Sequence, residues 1–243
     1  MSLSRRDVLA AAALVVASET TARAGIVSGH LPWHPDSGSP PEVVQPGPWL
    51  YFTEREAAIV ESLAERIIPV DPQTPSGKDA GCAVFIDRQL AGSYGHRDGL
   101  YTHPPFVKGT KEQGSQSAQN PAQIYRAALA ALDRYCQAEH GGKAWVDVPP
   151  DQQDEILQGL EKATVELEGV DGKAFFDTLL KDVQSGFFAD PVYGGNRDMC
   201  GWKMIGFPGA HYDYRDWVER HNERYPHPPV SIAGRPEWTP KKS

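Results

Sequence analysis

The chain has 243 residues, of which 40% are hydrophobic, so it can form one substantial domain or at most two small ones. Its 24 Lys and Arg residues stand against 32 Asp and Glu residues, for a formal net charge of -8. Binding to a phosphate backbone requires clustered basic side chains, and the body of the chain contains no basic run. The composition therefore argues against nucleic acid as a partner.

Residues 1–24 have the pattern of an export signal. Arg5 and Arg6 precede an apolar run at residues 8–17, and Ala-Arg-Ala at 22–24 supplies the small residues that a signal peptidase requires. The run is too short to span a bilayer, which takes about 20 apolar residues. Because it is only moderately hydrophobic and follows paired arginines, it predicts a twin-arginine signal. The alternative is a chance arginine pair in an ordinary secretory signal.

The next segment and the first two helices follow from local patterns. Residues 25–50 are rich in Pro, Gly and Ser without a period, which predicts an extended arm or linker. Thr53 and Glu56 form a capping box, and apolar residues then recur at helical spacing until Pro69. Helical spacing over residues 78–90 predicts a second helix.

The second half of the predicted fold begins after a long loop. Residues 91–119 show no period, and a loop of this length is expected to be mobile or held by a partner. Asn120 followed by Pro121 predicts the start of a helix that ends at Gly141-Gly142. Further helices are expected at the positions that follow: residues 150–162, a segment capped by Asp171, and a short last one at 211–221.

Strand patterns are scarce along the chain. We therefore predict a mainly α fold, a single helical domain of about five or six helices at residues 51–230 with long irregular loops. A C-terminal tail is predicted at residues 231–243, after the domain.

Three cysteines, Cys82, Cys136 and Cys200, allow at most one internal disulfide and leave at least one thiol free or bonded to another chain. None belongs to a C-x-x-C or C-x-x-C-H pattern. Covalently attached c-type haem, thioredoxin-like chemistry and ordinary iron–sulfur ligation are therefore not expected in this chain.

The patterns of other chemical sites are also missing. There is no Gly-x-Gly-x-x-Gly and no Gly-x-Ser-x-Gly, and His211 and His221 are not at metal-ligand spacing. Asp213 and Asp216 lie three residues apart, as on a solvated helix face. We therefore assign no catalytic, cofactor-binding or metal-binding residue, and retain Cys200 with His211 as an alternative nucleophile and base.

Several blocks in order along the chain resemble the gluconate 2-dehydrogenase subunit 3 family. They are Phe-Thr-x-x-Glu at 52–56, Phe-Ile-Asp-Arg-Gln-Leu-Ala-Gly at 85–92, Gly-Val-Asp-Gly-Lys-Ala-Phe-Phe at 169–176, the run from Gly186 to Asp198, and Gly-Phe-Pro-Gly at 206–209. The resemblance extends from about residue 52 to residue 230, nearly the whole body of the chain.

The resemblance implies a periplasmic complex associated with the inner membrane. In such a complex a large flavoprotein subunit with FAD oxidises gluconate or a related sugar, sugar acid or polyol. A multihaem cytochrome c subunit with haem c passes the electrons to the quinone pool. The small subunit is non-catalytic, holds no cofactor, escorts the flavoprotein through the twin-arginine export machinery and supports its folding as a chaperone. The residues that select the substrate then belong to another polypeptide.

The stretch from Gly186 to Tyr214 is rich in aromatic residues and glycine, and arginine and tryptophan are over-represented among residues that dominate binding. A contact surface for the flavoprotein, an internal structural loop tied by an Arg197–Asp198 ion pair, and a catalytic site all remain open. We hypothesise a disulfide between Cys200 and the large subunit. The candidate interface residues are Phe187, Phe188, Arg197, Asp198, Cys200, Trp202 and Phe207. The competing function is a free-standing exported enzyme with chemistry around Cys200 and His211.

Overall fold

The fold is mainly helical, which confirms the predicted class. A computed structural model of the protein describes residues 44, 47–98, 104, 106–107, 109–110, 117–211 and 214–233. Within these residues there are seven α-helices: α1 Glu54–Ile67, α2 Cys82–Ala91, α3 Ser93–His96, α4 Pro121–Glu139, α5 Pro150–Glu161, α6 Gly172–Phe188 and α7 Cys200–Ile205. Paired extended backbone in the same residues is limited to two isolated bridges.

Some of the predicted segments lie outside the described residues. They are the signal at 1–24 with Arg5 and Arg6, most of the arm at 25–50, part of the loop at 91–119, Asp213, and residues 234–243 of the tail. The domain boundaries stay predictions.

The predicted helix starts at Thr53 and Asn120 are confirmed. The Thr53 hydroxyl accepts a hydrogen bond from the Glu56 N–H at 3.2 Å, and the Glu56 carboxylate accepts one from the Thr53 N–H at 2.9 Å. Asn120 and Gln123 form the same reciprocal pair at the start of α4. Each pair satisfies backbone donors that the first turn of a helix leaves without a partner.

Three details of the predicted helices are wrong. The second helix begins at Cys82 rather than residue 78, because Gly81 has a φ of 83°, a left-handed conformation that an α-helix does not adopt. Within 211–221 the described residues form only the 3-10 turn Arg215–Trp217. The sequence analysis also missed the short helices α3 and α7, which raise the number of helices above five or six.

The core lies around α6, which packs against α2, α4, α5 and α7. Its Phe175 and Phe187 are almost completely buried, as are Tyr125 of α4 and Trp145 between α4 and α5. Burial of one such side chain contributes about 1.5–3 kcal/mol, so these aromatic residues account for much of the hydrophobic stabilisation.

A buried carboxylate fixes the chain segment that enters α1. Asp87 of α2 is completely buried and accepts hydrogen bonds from the N–H groups of Leu50, Tyr51 and Phe52 at 2.9, 3.0 and 2.9 Å. The Arg88 guanidinium pairs with the same carboxylate and donates to the Pro48 carbonyl. A buried charge needs such partners, and here they attach residues 48–52 to α2.

Candidate functional site

Within the stretch from Gly186 to Tyr214, residues 186–205 form the end of α6, two 3-10 turns at Pro191–Tyr193 and Arg197–Met199, and α7. Asn196, Asp198 and Met199 all have positive φ angles, of 45°, 55° and 56°. Asn and Asp tolerate this conformation better than other residues that carry a side chain, whereas Met199 adopts it only because the surrounding structure holds it there. Residues 189–199 are therefore a tightly constrained connection between α6 and α7.

Asn196 supplies that constraint. Its side chain is completely buried, its amide nitrogen donates to the Ala189 carbonyl at 2.8 Å, and its oxygen accepts from the Gly201 N–H at 2.8 Å. The Cys200 sulfur lies 3.7 Å from the same oxygen. One side chain thus joins the residue after α6 to the first turn of α7.

Close backbone packing explains two glycines of this stretch, Gly195 and Gly201. A Cβ atom at Gly195 would overlap the Gly186 carbonyl, and one at Gly201 would overlap the Phe187 carbonyl. Both positions need glycine because helix α6 and the chain after it approach each other without intervening side chains. The glycines therefore serve helix packing in this fold.

Asp190 attaches the C-terminal part of the described chain to the same stretch. Its carboxylate accepts hydrogen bonds from the Ser231 hydroxyl at 2.6 Å and the Ile232 N–H at 2.8 Å, and also from the N–H of Val192 at 3.0 Å. Next to it, Val230 exchanges backbone hydrogen bonds with Pro208 and Ala210. Residues 230–232 are therefore an integral part of this structure.

The predicted interface residues divide into two groups. Phe187 and Trp202 face inward, and the Trp202 indole N–H donates to the Phe188 carbonyl at 2.8 Å. Phe188 and Phe207 face outward, with 39% and 45% of their surface exposed. The Phe207 ring stacks edge-on against Trp202 at a centroid distance of 5.1 Å.

Sequence reasoning missed two exposed apolar residues beside them. Met204 and Ile205, at the end of α7, are 46% and 58% exposed. No local pattern marks them, because the direction of each side chain depends on how α7 packs against α6. Four apolar residues of this region are at least 39% exposed, and we call them the α7 patch: Phe188, Met204, Ile205 and Phe207.

Arg197 and Asp198 do not form the internal ion pair that the sequence left open. Both are exposed, and within the described part of the chain neither pairs with an opposite charge. The Arg197 N–H instead donates to the Ala80 carbonyl at 3.1 Å, and its guanidinium lies beside Gly81, before α2. Arg197 therefore connects the loop to the start of α2.

The structure does not bring Cys200 and His211 together as a nucleophile and base. Cys200 is half-buried next to Asn196, and burial raises the pKa of its thiol, which disfavours the reactive thiolate. The His211 ring instead packs against Tyr225 at 5.1 Å, and its Nε2 lies 3.2 Å from the Pro228 carbonyl. The geometry does not support cysteine chemistry at this position.

The three cysteines are free thiols in the structure. Burial raises the pKa values of Cys82 and Cys136 to about 12. Both residues lie in the hydrophobic core.

Among the residues that the structure describes, no cluster of three or more His, Cys, Asp and Glu side chains could hold a metal ion. The helices found there are all too short or too polar to cross a membrane.

A second polar cluster, around Asp182, was not predicted from the sequence. Asp182 of α6 is buried, and its carboxylate accepts hydrogen bonds from the Tyr125 hydroxyl at 2.7 Å and the Tyr94 hydroxyl at 3.1 Å. Burial raises the pKa of Asp182, although the two hydroxyl groups partly oppose this, and burial also raises the pKa values of both tyrosines. The cluster connects α3, α4 and α6, and no pattern in the sequence relates residues so far apart.

Comparison with known proteins places this arrangement in a family. Residues 54–209, well over half of the chain, match the family model described as Gluconate 2-dehydrogenase subunit 3. Comparisons with curated proteins and with solved structures gave no match. The matched residues include α1 to α7 and the whole α7 patch. The chain belongs to the gluconate 2-dehydrogenase subunit 3 family.

Proposed function

We propose that this chain is the non-catalytic small subunit of a periplasmic, flavin-dependent dehydrogenase complex of the gluconate 2-dehydrogenase type. Its partners are a large flavoprotein subunit that carries FAD and a multihaem cytochrome c subunit that carries haem c. The small subunit supports the folding of the flavoprotein and takes it through the twin-arginine export machinery. It reaches the inner membrane through these partners.

The observation that carries the proposal is the family match across residues 54–209. These residues include the exposed apolar α7 patch. The α7 patch presents four large apolar side chains to solvent on a connection that Asn196 and Asp190 hold in place. Exposed apolar residues that lie close together are typical of protein–protein contact sites. A surface that is already ordered loses little conformational entropy on binding. We therefore assign the flavoprotein contact to the α7 patch.

Coexpression with the flavoprotein of the same organism tests the assembly. The two chains should copurify in a fixed ratio, and the chain expressed alone should contain no flavin and oxidise no gluconate. Dehydrogenase turnover by the isolated, flavin-free chain would contradict the proposal.

Substitutions in the α7 patch locate the contact. Ile205→Glu and Met204→Glu should each reduce copurification at least tenfold, because burial of such a side chain contributes about 1.5–3 kcal/mol and about 1.4 kcal/mol corresponds to tenfold in affinity. Val70→Glu is the matched control, since Val70 is 66% exposed and follows α1. Equal copurification of all three variants would exclude the α7 patch as the contact.

Substitution of the two arginines in the export signal tests the escort role. Replacement of Arg5 and Arg6 by lysine should leave both this chain and the flavoprotein in the cytoplasm. If the flavoprotein still reaches the periplasm, the escort role is wrong even where the two chains assemble.

A further inference from the structure

A groove of about 550 Å³ lies beside the α7 patch, between α7 and residues 224–229. Trp202 and Phe207 line one side, and Tyr225 lines the other together with three prolines. Aromatic rings and proline rings offer flat apolar surfaces with few rotatable bonds, so they can hold an apolar side chain at low entropic cost.

Neighbouring aromatic rings hold Tyr225 in its position at the groove. The Tyr225 ring contacts the rings of His211, Tyr214, Trp217 and His227 at centroid distances of 5.1, 5.5, 5.2 and 5.3 Å. Such packing fixes the position of Tyr225 before any partner arrives. The groove is therefore a preformed site.

The charges at the groove have one sign. Lys203 and Arg224 line it, both are exposed, and its lining includes no carboxylate. Within the described residues neither cation forms an ion pair. In a chain with a net charge of -8, two unneutralised cations beside an apolar groove favour an acidic ligand.

The backbone here is not free to pair with an added strand. Pro226, Pro228 and Pro229 have no N–H group to donate, and the N–H and carbonyl of Val230 already bond to Pro208 and Ala210. Binding by β-strand addition requires unpaired backbone donors and acceptors along an edge. A ligand of this groove must therefore be recognised through its side chains.

We propose that the groove binds a segment of the flavoprotein subunit in which a carboxylate stands beside an apolar side chain. The apolar side chain lies between Trp202, Phe207 and Tyr225, and the carboxylate pairs with Lys203 or Arg224. This assignment rests on the proposed function. It adds an acidic anchor next to the apolar contact of the α7 patch.

Zero-length crosslinking of the assembled complex with a carbodiimide tests the chemistry directly, since the reagent joins a lysine amine to a carboxylate that touches it. Mass spectrometry should find a peptide that links Lys203 to an Asp or Glu of the flavoprotein. Lys203→Arg should abolish this link. Lys162, an exposed lysine after α5, serves as the control and should give no link to the flavoprotein.

Charge reversal supplies an independent measurement. The double variant Lys203→Glu, Arg224→Glu should weaken association with the flavoprotein at least tenfold at low salt, and the loss should shrink as salt rises. An unchanged melting temperature of the variant alone would show that it is folded.

The outcomes separate this inference from the proposed function. Wild-type assembly without a Lys203 crosslink and with undiminished binding of the double variant would overturn the groove and leave the small-subunit role intact. Failure of the wild-type chains to assemble would overturn both.

Discussion

The side-chain oxygen of Asn196 accepts a hydrogen bond from the N–H of Gly201 at 2.8 Å, in the interior of the protein. The same side chain donates to the Ala189 carbonyl, so one residue spans the gap between α6 and α7. The orientation of the α7 patch depends on this link, because α7 has only six residues and no side chain caps its start. A helix that short is not stable by itself.

Asn196→Ala should therefore lower the free energy of unfolding by about 2–4 kcal/mol. Loss of the amide leaves the buried N–H of Gly201 without a partner, at about 1–3 kcal/mol, and the left-handed conformation adds about 1 kcal/mol, whereas the Ala189 carbonyl is only partly buried and can bond to water. Urea unfolding followed by circular dichroism measures the change.

Asn222 provides a matched control for the cost of placing alanine in the left-handed conformation. It also has a positive φ, of 62°, but it is exposed. Asn222→Ala should cost about 1 kcal/mol or less. Equal losses in the two variants would show that the buried hydrogen bonds of Asn196 contribute nothing.

Asp190→Ala should release Ser231 and Ile232 from the stretch after α6. The Ile232 N–H donates to the Asp190 carboxylate, so its amide hydrogen should exchange with solvent at least tenfold faster in the variant. Hydrogen exchange resolved by NMR measures this single amide. Asp171→Ala, which removes the side-chain cap of α6, is the control and should leave exchange at Ile232 unchanged. Unchanged exchange in Asp190→Ala would refute the anchoring role.

The parts of the fold that the sequence predicted are those determined by neighbouring residues. The capping boxes at Thr53 and Asn120 and the side-chain cap of Asp171 each involve groups only three residues apart. Their hydrogen bonds need no tertiary partner, so the pattern is sufficient to locate the start of the helix. The same reasoning identified the long amphipathic helices α4 and α6.

The start of α2 and the existence of α7 depend instead on distant contacts. A Cβ atom at Gly81 would lie 2.7 Å from both the Arg197 guanidinium and the Gly194 carbonyl, more than a hundred residues away. Helix α7 contains Gly201 and is followed by Gly206, and both glycines locally favour a loop. Packing of Trp202 and the amide of Asn196 override that preference, and neither is visible in a local pattern.

In the candidate interface, the burial of single side chains also depends on distant contacts and could not be predicted from the sequence. Phe187 and Phe188 are adjacent and identical, yet one is 2% exposed and the other 39%. The sequence identifies the aromatic segment, but the direction of each ring depends on where α6 ends and how α7 packs against it.

The three cysteines should react with iodoacetamide in a fixed order in the native protein. Cys200 is half-buried, whereas Cys82 and Cys136 are completely buried with pKa values of about 12. At pH 8 we expect slow modification of Cys200 alone, because the thiolate is the reactive form. In urea all three should react at similar rates. Peptide mass spectrometry would contradict the structure if Cys82 or Cys136 reacted first in the folded chain.

Stability at mildly acidic pH should depend on Asp182. Its folded-state pKa is raised above the ordinary value of 3.8, chiefly by burial, while the Tyr125 and Tyr94 hydroxyls and the nearby Lys181 oppose the rise. The folded protein therefore binds the proton more tightly than the unfolded chain. This contribution is fully present below pH 3.8 and is lost as pH rises through the folded-state pKa.

Unfolding free energies measured in urea between pH 3.5 and 7 test whether the contribution of Asp182 to stability falls as pH rises. The difference between wild type and Asp182→Asn should fall as pH rises above about 3.8, because asparagine cannot titrate and has no such loss. Tyr94→Phe should enlarge the loss, since it removes one of the hydroxyl donors that favour the carboxylate. Because Tyr94 is partly exposed, that variant should still fold. A difference between wild type and Asp182→Asn that grows with pH would mean that hydrogen bonding to the carboxylate outweighs the cost of its burial.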